Sequence, residues 1–344
     1  MTRQAGTSTP ERPPDATDQR RGPRLGAVEL FIALIVVAVL ARGWLVAHTG
    51  SARLLTWMTI FVSIVIQATP FVVLGTVISA AIAAFVPPAF FARALPRRGA
   101  LAVPVAGVAG AILPGCECGS VPIAGALVRR GVTPAAALAF LLSAPAINPV
   151  VLAATFVAFP AKGTGGPVHP MVIARLVASL LASVVMGWLW LRLGRAEWIR
   201  TPERPELAGL SRGATFVAAC RTDTAQAGGF LVIGALTAAT LNVVVPPKVL
   251  HAVGGHPVLS VIALALLAVV LSLCSEGDAF VAASLTQFSL TARLAFLVVG
   301  PMVDAKLFAM QAGTFGRRFA IRFAPATFVV ATLSAVAVGA VLFP

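Results

Sequence analysis

The 344-residue chain is 58% hydrophobic and only 11% charged, with a mean hydropathy of +0.94. Soluble domains carry roughly 25% charged residues, so this composition excludes an ordinary water-soluble enzyme. The net charge of +14 would suggest nucleic acid in a soluble protein. Here, however, most Lys and Arg sit between apolar runs, as the positive-inside rule requires of a membrane protein, and no nucleic-acid partner is expected. Four Cys without a paired framework do not form a secreted disulfide scaffold.

In chain order, residues 1–24 are rich in Pro, Thr and charge and read as a disordered cytoplasmic tail. The apolar run over 25–48 is long enough for a first, retained membrane helix. Further apolar stretches cover 54–86, 100–113, 119–128, 134–160, 168–191, 226–246, 257–273, 279–287, 292–312 and 319–343. The polar stretch 192–212 is a cytoplasmic linker between two halves, 54–191 and 213–344.

Those halves repeat. A shift of 156 positions superposes Cys118 on Cys274, Phe140 on Phe296, Pro145 on Pro301 and Asn148 on Asp304. Upstream, a shift of 159 superposes Gln67 on Gln226, Phe71 on Phe230 and Gly75 on Gly234. Internal duplication is a common plan of secondary transporters. The expected fold is an all-α polytopic membrane protein of about 8–10 segments, with duplicated halves and broken or re-entrant helices.

Charge sets the topology. A single crossing by 100–130 would place Arg129-Arg130 opposite Arg97-Arg98 and the basic N-terminus. A re-entrant hairpin around PGCECG instead puts Arg97-Arg98, Arg129-Arg130, the linker and Arg317-Arg318 on one side, in better accord with the positive-inside rule. Applied to 257–287, the same logic gives a second hairpin on the opposite face, making the repeats inverted.

Only 12 acidic residues occur, and four of them, Glu117, Glu276, Asp278 and Asp304, fall inside or at the ends of apolar segments. Such groups cost about 2.5–3.5 kcal/mol each on insertion scales and mark function by default. Each lies beside a break: PGCECG at 114–119, CSEGD at 274–278 and GPMVD at 300–304. The remaining break, SAPAINP at 143–149, carries Asn148 where its twin carries Asp304. Paired breaks of this kind point to a transporter's central site.

The cysteines select the ligand class. Thiolates prefer soft ions, so Cys116, Cys118 and Cys274 are the candidate ligands of a soft metal or metalloid substrate. Asn148 and Asp304 join them as substrate-binding candidates, and Glu117, Glu276 and Asp278 are candidates for proton coupling. Structural readings stand beside these. Cysteine is often a small buried hydrophobe; Glu117 and Glu276 would equally accept bonds from unwound N–H groups; Asp278, Asn148 and Asp304 are also placed to cap helices. Arg221 and Asp223 read as solvated interfacial charges. There is no Walker motif, GxGxxG after a strand, HExxH or Ser/His/Asp set, so neither enzymatic activity nor a cofactor is expected.

The segments PGCECGSVPIAGALVRRGVTPAAALAFLLSAPAINPVV and LCSEGDAFVAASLTQFSLTARLAFLVVGPMVDAKL resemble the YraQ-like predicted permease family, which includes the ArsP organoarsenical efflux permeases. The resemblance covers about 55–343. It implies a permease of the bacterial cytoplasmic membrane and, by the ArsP branch, export of trivalent organoarsenicals with Cys116, Cys118 and Cys274 as metalloid contacts. Glu117 replaces the family's usual serine between the two cysteines. Members are often encoded beside a second membrane or metal-related protein, which leaves room for a companion membrane subunit. A non-transporting subunit that anchors or regulates a partner is the alternative reading.

Overall fold

The computed structural model describes residues 52–87, 90, 96, 98–112, 117–159, 170–199, 211–244, 256–275 and 277–343. The tail and first membrane helix expected over 1–48, most of the linker, Cys116 and Glu276 lie outside them. The described residues form two series of six helices. The first comprises α1 (Ala52–Phe85), α2 (Gly99–Ala109), α3 (Glu117–Arg129), α4 (Pro134–Ile147), α5 (Pro149–Ala158) and α6 (Pro170–Leu193). The second comprises α7 (Arg212–Val244), α8 (Pro257–Leu271), α9 (Asp278–Ser284), α10 (Leu290–Val299), α11 (Ala305–Phe315) and α12 (Arg317–Leu342). These helices are apolar on most faces because lipid replaces water as their solvent, and in lipid each backbone N–H must find its partner inside the chain.

The breaks have local causes. Pro134, Pro149 and Pro257 occupy first turns, where a missing N–H costs nothing. Asn148 is extended before Pro149 (ψ 156°) and separates α4 from α5. At the end of α8, Ser272 adopts a left-handed conformation (φ 48°) and stops the helix.

Equivalent helices of the two series run antiparallel. Between α1 and α7, the Trp57 indole donates to Thr240 Oγ1 (3.0 Å) toward one end, and Ser79 Oγ donates to Asp223 Oδ2 (2.7 Å) toward the other. Phe85 closes α1 beside Phe216 at the start of α7. Trp190, near the end of α6, packs edge-on against Phe319 and Phe323 near the start of α12. The repeats are therefore inverted.

Contacts at the helix ends establish the hairpins. The Trp188 indole near the end of α6 donates to Ala100 O (2.9 Å), and Gly187 lies against Val103 and Ala135. Thus α2 and α4 both start on the face where α6 ends and the linker begins. Because α3 stops at Arg129, just before α4, α2 enters from that face and α3 returns to it. In the second series, Gly339 at the end of α12 abuts Thr291 at the start of α10, and Val258 of α8 lines a crevice with Thr291 and Ala340. The α8–α9 hairpin therefore enters from the far face. Full crossings are made by α1, α6, α7 and α12 and by the broken pairs α4–α5 and α10–α11. Six crossings and two hairpins among the described residues agree with the expected number of segments.

One boundary differs from the sequence reading. The apolar run suggested a helix from 226, whereas α7 begins at Arg212. The polar stretch 212–225 stays helical because it packs along α1 and because Asp223 is buried there rather than solvated (5% exposed). Inversion predicts that Thr133→Cys, between α3 and α4, reacts with a membrane-impermeant maleimide only from the cytoplasmic face. Thr286→Cys, between α9 and α10, should react only from the opposite face. Labelling of intact cells against everted vesicles measures both.

Candidate functional site

Residues beside the PGCECG, CSEGD and GPMVD breaks form a cluster of buried charges. Glu117 opens α3 and is fully buried; Lys306, in the first turn of α11, is 1% exposed. The Lys306 ammonium lies 2.5 Å from Glu117 Oε1 and 3.4 Å from Asp304 Oδ2, and it donates to Leu273 O (3.2 Å) in the break after α8. Ser275 Oγ donates to the other Glu117 oxygen (3.3 Å). Arg175 of α6, likewise fully buried, donates to Ser275 O (3.2 Å) and to Thr155 Oγ1 of α5 (2.8 Å). Glu117 of the first hairpin thus accepts a hydrogen bond from the Ser275 hydroxyl of its inverted twin and pairs with Lys306 of α11, while the Ser275 carbonyl accepts from Arg175 of α6. A hydrocarbon interior tolerates such charges only when they are paired in this way.

Cys118 and Cys274, equivalent in the repeat, are both buried and both within electrostatic range of the Lys306 ammonium. Asp278 is buried within range of Arg175, Glu117, Lys306 and Asp304, and its Oδ2 makes no hydrogen bond. It is the first residue of α9, whose N-cap position is held by Gly277, so it does not cap that helix. Asp304 does cap: its Oδ1 accepts from Leu307 N (2.6 Å), while its Oδ2 faces Lys306. Asn148 Oδ1 accepts from Val151 N (2.9 Å) and its amide donates to Ala144 O (3.2 Å). Glu117, Cys118, Cys274, Asp278 and Asp304 are therefore brought together, and Asn148 holds the corresponding break of the first series. Among the described residues, no three His, Cys, Asp or Glu side chains stand close enough to hold a metal ion.

Sequence reasoning missed Lys306, Arg175 and Ser275. The signal for the two cations was present, because the intramembrane-charge rule applies to both signs; each lies inside an apolar run, and only the acids were singled out. Ser275 carried no such mark. Beside the cluster, α7, α8, α11 and α12 enclose an apolar crevice of about 830 Å³ that reaches Asp304 and has Phe230, Phe308 and Arg317 on its wall.

The cover over the cluster is lopsided. Gly75 of α1 rests on Gly119 of α3, where a β-carbon would lie 2.5 Å from the Gly119 Cα; its twin Gly234 of α7 rests on the backbone of Lys306 in α11. Gln226 Nε2 pins the same pair of helices by donating to Gly313 O (2.8 Å), while its twin Gln67 is exposed. Thus α1 and α7 both lie over α3 and α11, the linker-side half. On the far side, Phe280 of α9 and Val157 of α5 are 53% and 65% exposed, whereas Ala124, the twin of Phe280, is fully buried. On the linker side, Asp223 ties α7 to Ser79 of α1 and stands 3.9 Å from Arg129 of α3. Thr76 and Thr224 share a hydrogen bond beside them (2.9 Å).

An inverted-repeat membrane protein with paired helix breaks around buried charge is the architecture of a permease. Residues 53–340 match the ArsP_1 family, described as a predicted permease, and the chain belongs to that family. It is 36% identical over 284 residues to the UPF0718 protein YcgR of Bacillus subtilis, covering 79% of this chain and 92% of that protein. It is 32% identical over 280 residues to a putative two-component membrane permease complex subunit of Streptococcus mutans, covering 79% and 91% respectively. No solved structure matches. The chain is thus a multi-pass protein of the bacterial cell membrane.

Removing one partner of a buried pair strands the other, at about 3–5 kcal/mol. Lys306→Met should therefore sharply lower the thermal stability of the detergent-purified protein, and Glu117→Gln in the same chain should restore most of the loss. A double variant no more stable than Lys306→Met alone would show that the two charges are not coupled.

Proposed function

We propose that the protein is a secondary transporter that moves a soft metal or metalloid species across the cytoplasmic membrane. The observation that carries this reading is the burial of two repeat-equivalent thiols, Cys118 and Cys274, beside the Glu117–Lys306–Asp304 charges. Thiols supply affinity for a soft, electron-poor centre. Cys116 is the third thiol of the proposed set. Asp304 and Asn148 line the substrate's position, and Glu117, Glu276 and Asp278 balance charge or carry coupled protons. A trivalent organoarsenical, as the ArsP resemblance implies, fits both the thiols and the apolar crevice that reaches Asp304. Membership of a permease family supports a transporter rather than an enzyme.

Alternating access follows from the inversion. In the conformation described, α1 and α7 close the linker side over α3 and α11, with Asp223, Ser79 and Arg129 as the latch. Rocking the pair toward α9 and α5 would exchange the contacts of Gly75 and Gly234 and open that side. A second reading, a membrane subunit that anchors or regulates a partner, draws on the complex-subunit name of the Streptococcus relative. It predicts loss of function when the 192–212 linker is altered and none on replacing the thiols.

Everted vesicles should accumulate one of methylarsenite, arsenite or Zn(II), with accumulation lost in Cys118→Ser and Cys274→Ser. A trivalent arsenical should depend mainly on the thiols, whereas Zn(II) should also require the carboxylates, so Glu117→Gln separates the two. No accumulation of any of the three by folded protein would overturn the transport reading. Removing a hydrogen bond to a charged group costs about 1.5–3 kcal/mol. Asp223→Asn should therefore raise the linker-side-open fraction roughly tenfold, seen as faster cytoplasmic maleimide labelling of Thr224→Cys.

A further inference from the structure

One charged feature lies outside this site. After α6, the chain makes a single 3-10 turn, Ala196–Trp198, which folds back on the start of α12. An aromatic column fixes it there: the Trp198 ring meets Trp190 edge-on (centroids 6.0 Å apart), and Trp190 in turn meets Phe319 (5.4 Å). Arg322 lies over the face of Trp198, 4.3 Å from its centroid, and Arg195 stands at 5.9 Å. Cation–π contact of this kind holds a guanidinium plane while leaving its N–H edge free to donate. Around the turn opens a cavity of about 400 Å³ lined by Arg195, Glu197, Trp198, Arg318, Ile321 and Arg322. Three arginines against one carboxylate leave this small cavity with two net positive charges.

Its place in the membrane narrows the ligand. The cavity lies where α6 ends and α12 begins, on the face that gathers Arg129, Arg130, Arg192 and Arg317 and that the positive-inside rule makes cytoplasmic. Trp198 marks the headgroup level, as interfacial tryptophans do. Beside the cavity an exposed apolar strip is formed by Ile321, on its wall, and Leu193, one turn after Trp190 on α6 (50% and 64% exposed). An arginine-lined pocket continuous with such a strip suits a ligand that has a phosphate at one end and acyl chains at the other. A soluble phosphate compound would gain nothing from the strip.

We infer that this cavity is a binding site for the headgroup of an anionic phospholipid of the cytoplasmic leaflet. Arg318 and Arg322 hold the phosphate, Arg195 closes over it, and the acyl chains follow Leu193 and Ile321. Glu197 lies in the same cavity and favours a headgroup that carries hydroxyls able to donate to it, such as glycerol. The site joins the turn after α6 to the start of α12, one of the inverted pairs that link the two halves, so an occupying lipid braces that contact. The inference does not depend on the transported species.

The test uses the full chain purified in mild detergent. Phosphatidylglycerol should survive into native mass spectra and raise the melting temperature, whereas phosphatidylcholine and millimolar inorganic phosphate should do neither. Arg318→Gln with Arg322→Gln should weaken phosphatidylglycerol binding roughly tenfold or more, while Arg98→Gln, an exposed arginine elsewhere on the same face, should leave it unchanged. Equal retention of phosphatidylcholine, or undiminished binding by the double variant, would overturn the inference. Stabilisation by inorganic phosphate as large as that by the lipid would also overturn it, reducing the cavity to a simple anion site. The comparison of lipids on the unaltered protein decides the matter even if the double variant fails to fold.

Discussion

The structure is organised around the cost of a charge in hydrocarbon. A lysine at mid-membrane is tolerated only when carboxylates and freed backbone carbonyls replace its water. Lys306 obtains Glu117 and Asp304 as counter-charges and Leu273 as an acceptor, each from or beside a different broken segment. The breaks are needed because an intact helix has no carbonyl to spare. Two of them, between α2 and α3 and between α8 and α9, turn the chain back toward the face it came from, while those at Asn148 and Asp304 interrupt helices that go on across. Glycine at Gly234 and Gly75 lets the covering helices approach the site to backbone contact.

Inverted duplication gives this arrangement two nearly equivalent sides, and the sequence then makes them unequal. The latch residues Asp223 and Ser79 occupy the linker side, while the positions related to them by the repeat, Ile64 and Ala238, are apolar. The charged grip of Asp223 and Arg129 thus falls on the linker side, while toward the far side the same two helices make only neutral hydrogen bonds, Trp57 to Thr240 and Asn242 to the end of α8. In the proposed alternating-access reading, this inequality makes the linker-closed side the favoured one. The cluster supplies a second bias, because the α7 glycine rests directly on the backbone of Lys306.

Much of the fold was legible without coordinates. Hydropathy located the membrane segments, the 156- and 159-residue shifts exposed the repeat, and arginine placement indicated which segments re-enter. The acids of the cluster were found because a carboxylate inside an apolar run stands out. Asp223 was misplaced because its neighbours, Arg221 and Thr222, are polar and exposed; its burial comes from α1, distant in sequence and invisible to a local window. Arg175 and Lys306 were overlooked although single charges in apolar runs mark them just as clearly.

The sequence by itself determined the solvent of this protein, its duplication, its inversion and the chemical types available at its breaks, because each of these depends on composition or on spacing along the chain. Tertiary structure alone decided which charges pair, with Glu117 meeting Lys306 rather than any nearer cation, and toward which face the covering helices lean. Pairing in hydrocarbon depends on distances of a few ångströms between residues far apart in the chain, and no one-dimensional pattern encodes those distances.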